Sequence, residues 1–398
     1  MSTEEVASGR TRRLTAVLRE EETVTPLELF FDLVFVLALT QCTALMAADP
    51  TWEGLAKGLL VLGVLWWSWV GYAWLTSVVD PEEDAVRLVI FAAMAALLVV
   101  GLCVPHAFDD AGLIFAGAYA VVRFAHIALF MLASRDDANL RSSVIGLAVG
   151  SAVGSGLLFG AAFADGALQG GLWAVALALD MSEPYFFGAE GWKLVPHHFS
   201  ERHGLIIIIA LGESVVAIGV GADAQVDLGI VVGAVVGTAV AAALWWLYFD
   251  VVALVAARRL DRAEVGRAQN EMARDSYSYL HFPMVAGIVL VALGMKKTLG
   301  HVEDPLKLVP ATALLGGAAL YLLAHVAFRY RHIQSLNTRR LGLAVLLVVF
   351  IPVAVEIPAL ATISVLALAL MLLIVVETRA YGASRHRTRQ ELRHESAG

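Results

Sequence analysis

The first long apolar stretch of the chain reads TPLELFFDLVFVLALTQ, from Thr25 to Gln41, and it predicts a membrane helix that carries two carboxylates. Glu28 and Asp32 stand four residues apart, so a helix places them on one face, one above the other. The start of the helix has the pattern of a capping box, with Thr25 as the N-cap, a proline at the first helical position and Glu28 at the third. Asp32 lies one turn deeper, where a carboxylate is costly unless it is paired or hydrated. We therefore expect Asp32 to face the protein interior and to meet a cation there, either Arg123 or a histidine.

The composition is typical of an integral membrane protein. Of 398 residues, 59% are hydrophobic and only 16% are charged, whereas soluble domains are nearer half apolar and a quarter charged. The net charge of −8 does not indicate a nucleic-acid partner; the expected partners are the lipid bilayer and a small solute or ion. The two cysteines, Cys42 and Cys103, lie in apolar runs, and we expect neither a disulfide nor a cysteine metal site. Because no metalloprotease, phosphate-loop or nucleophile-elbow motif occurs, the sequence predicts neither an enzyme nor a cofactor.

Apolar runs long enough to cross a bilayer predict an all-α fold, a polytopic transmembrane bundle of about twelve helices. The predicted spans are 26–48, 53–79, 86–108, 111–134, 142–163, 168–187, 202–221, 226–256, 275–299, 308–330, 340–357 and 359–380. The predicted divisions of the chain are a cytoplasmic N-terminal tail (1–24), a first six-helix membrane repeat (25–190), a second six-helix membrane repeat (191–380) and a cytoplasmic C-terminal tail (381–398).

Basic residues predict the orientation of the bundle. With the N-terminus inside, the segments on the cytoplasmic side hold 23 of the 28 lysines and arginines, and the outer segments hold 4. Cytoplasmic loops carry such an excess, so both termini are expected in the cytoplasm and the protein in the inner (plasma) membrane. The first residues lack the apolar core of a cleavable signal peptide, and the first membrane helix is expected to direct insertion.

The two halves of the chain share short matches that recur in the same order. Each half therefore reads as one six-helix repeat, and because six is even, the two repeats are expected to be parallel. The matches are residues 28–41 with 201–214, LWW at 65 and at 244, AHIA at 125 with AHVA at 324, and GLAV at 146 and at 342. The fifth span also carries Gly146, Gly150 and Gly154, a spacing that favours close approach of another helix.

A second polar and apolar stretch, HFSERHGLIIIIALGES from His198 to Ser214, opens the seventh span. Together with residues 25–41 it resembles the two signatures of the bacterial low temperature requirement A (LtrA) family of multi-pass membrane proteins. The apolar segments between and after the two stretches fit the same family, so the resemblance covers about residues 25–380. It implies a multi-pass membrane fold, but the family takes its name from a growth phenotype and the resemblance implies no particular reaction or substrate. His197, His198, Glu201 and His203 are spaced loosely enough for a metal, although a solvated helix start is the favoured interpretation.

Charged and titratable groups inside membrane helices usually pair with one another or line a pathway. We expect Arg123 to form a buried ion pair with Asp32 or Asp180, and Glu213 is a strong candidate because no helix cap requires it. Asp250, His281 and Glu356 lie near span ends and are expected to reach interfacial water. The residues assigned to a substrate or ion pathway are Glu28, Asp32, Arg123, His126, Asp180, Glu183, Glu201, Arg202, Glu213 and His325.

Three functions remain open at this point. The leading hypothesis is a secondary transporter or ion-translocating protein, because two parallel halves with titratable groups between them suit alternating access. The second is a cation channel, since the run after Glu28 weakly resembles the Phe-Ser-Asp motif of lysosomal-type potassium channels. Against it, Phe31 replaces the serine, and Leu205 stands where the second half would need the aspartate. The third is a non-transporting membrane stress sensor or scaffold, and a homo-oligomer is compatible with all three.

Overall fold

A computed structural model describes residues 23–186, 192–222 and 227–395, with side chains up to residue 380. Within these ranges the chain is helical, with a 3₁₀ turn at Val104–His106, a π-helical turn at Arg274–Tyr279 and an isolated bridge between Pro305 and Pro358. The helices are α1 (Pro26–Ala48), α2 (Trp52–Val78), α3 (Asp84–Cys103), α4 (Gly112–Ala133), α5 (Ala138–Ala161), α6 (Gly166–Phe186), α7 (Pro196–Gly221), α8 (Leu228–Phe249), α9 (Val252–Asp261), α10 (Arg267–Ala273), α11 (His281–Gly300), α12 (Leu308–Ile333), α13 (Thr338–Ala354) and α14 (Ala359–Glu395).

Short polar side chains begin several of these helices. In α1 the Glu28 backbone N–H donates to the Thr25 hydroxyl (3.4 Å), and the Thr25 N–H donates to the Glu28 carboxylate (2.9 Å), so the predicted capping box is present. Asp137 and Asn337 cap α5 and α13 through their side-chain oxygens. Each cap satisfies a backbone N–H that a helix start leaves without an intrahelical partner.

Ten helical segments of the described chain are long and apolar enough to cross a membrane. They include α1 to α5, α7, α8 with α9, α10 with α11, α12, and the first part of α14. Two of the twelve predicted spans are not in this set. They correspond to α6, in which Asp180 and Glu183 interrupt the apolar run, and to α13, which has only 17 residues. The predicted C-terminal tail begins inside α14, which continues to Glu395, and most of the predicted N-terminal tail lies outside the described residues.

The two halves pack their helices in a similar order. In the first half, contacts join α1 with α2, α1 with α3, α3 with α4, α4 with α5, α5 with α6, and α2 with α6. In the second half, contacts join α7 with α8, α7 with α11, α11 with α12, α12 with α13, α13 with α14, and α8 with α14. The halves meet where α1 and α2 pack on α7 and α11. This order agrees with a six-helix repeat, and the repeat itself stays a prediction.

Candidate functional site

The two signature stretches meet in a buried group of side chains that we call the junction cluster: Glu28, Asp32, Thr76, His198 and Arg202. The Arg202 Nη1 lies 2.7 Å from Glu28 Oε1 and 2.5 Å from the Thr76 hydroxyl. Its Nη2 lies 3.1 Å from Asp32 Oδ1. His198 Nε2 lies 2.8 Å from the same Glu28 oxygen that Arg202 binds. The junction cluster therefore joins α1 and α2 of the first half to α7 of the second.

Asp32 faces the interior, as expected, but its partner is neither Arg123 nor a histidine. The cation is Arg202, and the Trp69 indole N–H also donates to Asp32 Oδ1 at 2.8 Å. The reason is the start of α7, which lies at Pro196 and not at the predicted residue 202. Arg202 therefore lies well inside the helix, where its side chain is only 1% exposed.

Two further contacts extend the pairing of α1 with α7. Near the start of α1, the Val24 backbone N–H donates to the exposed Glu201 carboxylate at 3.1 Å. Farther along, the Thr40 hydroxyl donates to the buried Glu213 carboxylate. The contacts advance along both helices together, so α1 and α7 run parallel and the two signature stretches form one continuous interface.

A second buried charge group, which we call the cavity cluster, lies within the first half: Tyr119, Arg123, Ser151, Asp180 and Glu183. The Arg123 Nη2 donates to the Ser151 hydroxyl (2.6 Å) and to Asp180 Oδ1 (3.4 Å), which confirms the predicted pairing with Asp180. The Tyr119 hydroxyl donates to the other Asp180 oxygen at 2.8 Å. The Glu183 Oε2 lies 3.6 Å from Arg123 Nη2, within ion-pair distance but too far for a hydrogen bond. One guanidinium therefore faces two carboxylates.

Two glycines of α5 make room for these carboxylates. A Cβ atom on Gly150 would lie 1.8 Å from Glu183 Oε1, and a Cβ atom on Gly154 would lie 3.3 Å from Asp180 Oδ1. The glycine spacing predicts close approach of another helix. In the structure, charged side chains of α6 fill the space that the missing glycine side chains leave.

A cavity of about 90 Å³ lies beside Arg123. Neither Glu183 oxygen accepts a hydrogen bond from the described residues, and neither His126 ring nitrogen makes one of normal geometry within them. The His126 ring packs instead against Tyr72 and Phe130, with centroids 5.4 and 5.0 Å away. The residues around the cavity are Trp67, Val70, Gly71, Trp74, Arg123, His126, Phe130, Ser143, Leu147, Glu183, Pro184, Trp192, Asn270, Arg274 and Ser278. Glu183, Arg123 and His126, three of the predicted pathway residues, thus share one space.

The second half holds a third buried group, which we call the Arg340 cluster: His325, Asn337, Arg340 and Glu377. The Arg340 guanidinium donates to both Glu377 oxygens, at 3.0 and 2.9 Å, and to His325 Nδ1 at 3.0 Å. The Asn337 amide donates to Glu377 at 2.7 Å. Arg340 was not among the predicted pathway residues, because it is the first residue of the predicted span 340–357 and was counted with the basic residues of the preceding cytoplasmic segment. The available signal was Glu377, an acid at the end of the last apolar run.

Residues near the predicted span ends differ in exposure. His281 is fully buried, with Nδ1 at 3.0 Å from the Ser276 carbonyl and Nε2 at 2.8 Å from the Tyr248 hydroxyl, so it does not reach interfacial water. Asp250 is also buried, and the expectation of water contact is wrong for both. Glu356 is exposed, as predicted.

The loose histidine cluster at the start of α7 does not converge on one point. His198 contacts Glu28, Glu201 accepts from the Val24 backbone N–H, and His203 Nδ1 donates to the Phe199 carbonyl at 2.8 Å. In the part of the chain that the structure describes, no three histidine, cysteine or acidic side chains are placed to hold a metal ion.

The helices and their buried charges define a multi-pass, all-helical membrane protein. The chain belongs to the family of bacterial low temperature requirement A proteins (LtrA), whose model matches residues 23–376, including both signature stretches. It is 30% identical over 307 residues to RA0937 of Rhizobium meliloti (strain 1021), described as an uncharacterized protein, and the match covers 74% of each chain. No solved structure matches the chain. The family resemblance found in the sequence is confirmed.

Proposed function

We propose that this protein is a proton-coupled secondary transporter whose solute site is the cavity beside Arg123. The observation that carries the proposal is Glu183, a buried carboxylate that lines the cavity and accepts no hydrogen bond from the described residues. A carboxylate in such a place is stabilised by a proton or by a cation, and it favours the state in which one of them is bound. A carboxylate that binds a proton and a cation in turn links the movement of protons to the movement of the solute.

The position of the cavity supports the same function. Its walls come from α2, α4, α5 and α6 of the first half, and from α10 and the π-helical turn of the second half. Secondary transporters commonly bind their solutes between two structural repeats. A π-helical turn interrupts regular hydrogen bonding and is frequent at functional sites, and here Ser278 of that turn lines the cavity.

The junction cluster supplies a fixed point between the halves. Removing one partner of a buried ion pair is destabilising by about 3–5 kcal/mol, so α1 and α7 are expected to stay together during transport. One half then moves against the other about this contact. That movement opens or closes the cavity on the far side of α2.

In this proposal the protein lies in the inner membrane with both termini in the cytoplasm, as the distribution of lysine and arginine supports. Single cysteines introduced in loops 135–141 and 165–167, tested with a membrane-impermeant reagent on intact cells, examine the orientation. We expect protection of the first loop and labelling of the second. Labelling of the first loop from outside would contradict this orientation.

Currents from proteoliposomes on a solid-supported membrane test transport. We expect transient, proton-dependent currents on addition of a transported solute from a panel of amines, amino acids, carboxylates and sugars. Glu183→Gln should abolish them, and Glu303→Gln, a change at an exposed glutamate, should not. A steady ohmic current would instead indicate a channel. Silence across the whole panel would indicate a sensor or scaffold, and either result overturns the proposal.

A further inference from the structure

Building on the proposed transport function, we propose that the cavity binds a small organic cation, an amine with an apolar body, and that amine and proton compete for Glu183. The balance of charges around the cavity, its aromatic walls and its size all favour such a solute.

The charge balance leaves one carboxylate to be neutralised. Arg123 is hydrogen-bonded to Asp180 and Ser151, and Asp180 also accepts from Tyr119. Glu183 has the same guanidinium at 3.6 Å and no hydrogen-bond donor among the described residues. A single positive charge cannot neutralise both acids, so the cavity favours an entering proton or cation over an anion.

The second arginine at the cavity is not hydrogen-bonded to Glu183. Arg274 shares Asp275 with the partly exposed Arg331, at 2.8 and 3.2 Å, and its Nη1 donates to the Pro184 carbonyl at 3.4 Å. Its guanidinium carbon lies 4.1 Å from the centre of the Tyr185 ring. These contacts direct the Arg274 guanidinium toward Asp275, Pro184 and Tyr185, so among the described residues Glu183 still has no hydrogen-bonded cation.

Aromatic rings form much of the cavity wall. Trp67, Trp74, Phe130 and Trp192 all line it. The rings support one another, with centroids 5.8 Å apart for Trp74 and Trp192 and 5.1 Å apart for Phe130 and Trp192. The Trp74 indole N–H donates to the Ser278 hydroxyl at 3.0 Å, which fixes its plane. Indole and phenyl faces attract ammonium groups and also bury apolar atoms, so these walls suit both ends of an apolar amine.

The size of the cavity restricts the solute. About 10–15 Å³ of such space holds one water-sized atom, so the cavity of about 90 Å³ holds roughly six to nine. Benzylamine fits this size and carries an ammonium group on an aromatic ring. Benzyl alcohol and benzoate have nearly the same shape. Benzyl alcohol replaces the ammonium group by a neutral hydroxyl, and benzoate replaces it by an anionic carboxylate.

Binding of these three compounds to the purified full chain in nanodiscs, measured by calorimetry, tests the inference. Benzylamine should bind about tenfold tighter than benzyl alcohol, because a charged hydrogen bond replaces a neutral one, and benzoate should bind weakest. Benzylamine affinity should also fall as the pH is lowered. Acid makes the ligand more cationic, so a fall in affinity would come from protonation of the site. Stronger binding of benzoate, or affinity that rises in acid, would overturn the inference.

Two variants locate the binding group. Glu183→Gln should reduce the preference for benzylamine over benzyl alcohol to about twofold or less, since the carboxylate is lost and the shape is kept. Gly150→Ala keeps the charge but displaces the carboxylate, and it should weaken benzylamine binding as well. Glu303→Gln and Gly342→Ala are the matched controls, at an exposed acid and at a helix glycine with open space around it. A full benzylamine preference in Glu183→Gln, whatever the result for Gly150→Ala, would contradict the assignment of Glu183.

Binding and current measurements on the same protein distinguish the amine site from the proposed transport function. If benzylamine binds as expected but no transient current accompanies it, the amine site stands and the transport function is wrong. If other solutes drive Glu183-dependent currents and benzylamine does not bind, the transport function stands and the inferred solute class is wrong.

Discussion

The cavity cluster lies on α4 to α6 of the first half, and the Arg340 cluster lies on α12 to α14 of the second half. In the Arg340 cluster, one guanidinium binds both oxygens of Glu377 at 2.9 and 3.0 Å and reaches His325 as well. In the cavity cluster, Arg123 faces two carboxylates at 3.4 and 3.6 Å, and one of them lines a cavity.

This difference separates a structural ion pair from a site that needs a ligand. A buried pair with matched charges and filled hydrogen bonds is complete without a further group. A buried carboxylate without donors becomes stable when a proton or cation arrives. We therefore assign stability to the Arg340 cluster and the exchange of a proton or cation to the cavity cluster.

The largest expected effect is the contrast between Glu377→Gln and Glu183→Gln. Glu377→Gln leaves Arg340 buried without its carboxylate, and we expect a loss of about 3–5 kcal/mol in the free energy of unfolding. Glu183→Gln leaves Arg123 paired with Asp180, and we expect a change within about 1 kcal/mol. Thermal unfolding in matched detergent measures both. Equal losses in the two variants would remove the distinction between the clusters.

The second contrast concerns the glycines of α5 and α13. Gly150→Ala places a methyl group on the Glu183 carboxylate, and we expect destabilisation of about 2–3 kcal/mol from overpacking. Gly342→Ala meets no atom within 4 Å, and we expect no loss or a gain below about 1 kcal/mol. The comparison uses urea or thermal unfolding of both variants. An unaffected Gly150→Ala protein would show that the carboxylate moves aside without cost.

The two histidines give the third contrast. His325→Leu removes the acceptor that lies 3.0 Å from Arg340 Nη1, and we expect destabilisation of about 2 kcal/mol. His126 makes no hydrogen bond of normal geometry within the described chain, so His126→Leu should change stability by less than about 1 kcal/mol. The measurement is again thermal unfolding. A larger loss for His126→Leu than for His325→Leu would contradict the assigned roles.

The smallest expected effect extends the comparison to the junction cluster. Asp32→Asn leaves Arg202 bound to Glu28 at 2.7 Å, and the asparagine oxygen can still accept from Trp69. We expect a loss of about 1 kcal/mol, well below the cost of stranding a buried arginine. A loss comparable to that of Glu377→Gln would make Asp32 the main partner of Arg202.

Sequence patterns predicted the helices more closely than the charge pairs. The apolar run and the Thr25 cap define α1, and its observed bounds, 26–48, equal the predicted ones. A buried ion pair of Arg123 with Asp32 or Asp180 was also predicted, because all three lie inside apolar runs, and the observed partner is Asp180. These features depend on local propensity and on the cost of burying a charge, both of which a single sequence contains.

The remaining pairs depend on helix starts and on packing between distant segments. Arg202 and Arg340 are the first residues of their predicted spans, but α7 begins six residues earlier, at Pro196, and α13 begins two residues earlier, at Thr338. Glycine spacing in α5 indicates a gap but not its occupant, so the carboxylate of Glu183 against Gly150 was not predictable. The cavity itself arises from side chains of both halves and has no local signature.

The contact between Arg202 and Asp32 has a consequence for biosynthesis. The two residues are 170 positions apart, so at 5–20 residues per second the ribosome makes Arg202 about 10–30 s after Asp32. During that interval α1 must reside in the bilayer with its acids protonated or in contact with water and lipid headgroups. A nascent chain stalled before α7 is therefore expected to be a substrate for membrane proteases, and the folded protein becomes resistant to them only when its second signature stretch arrives.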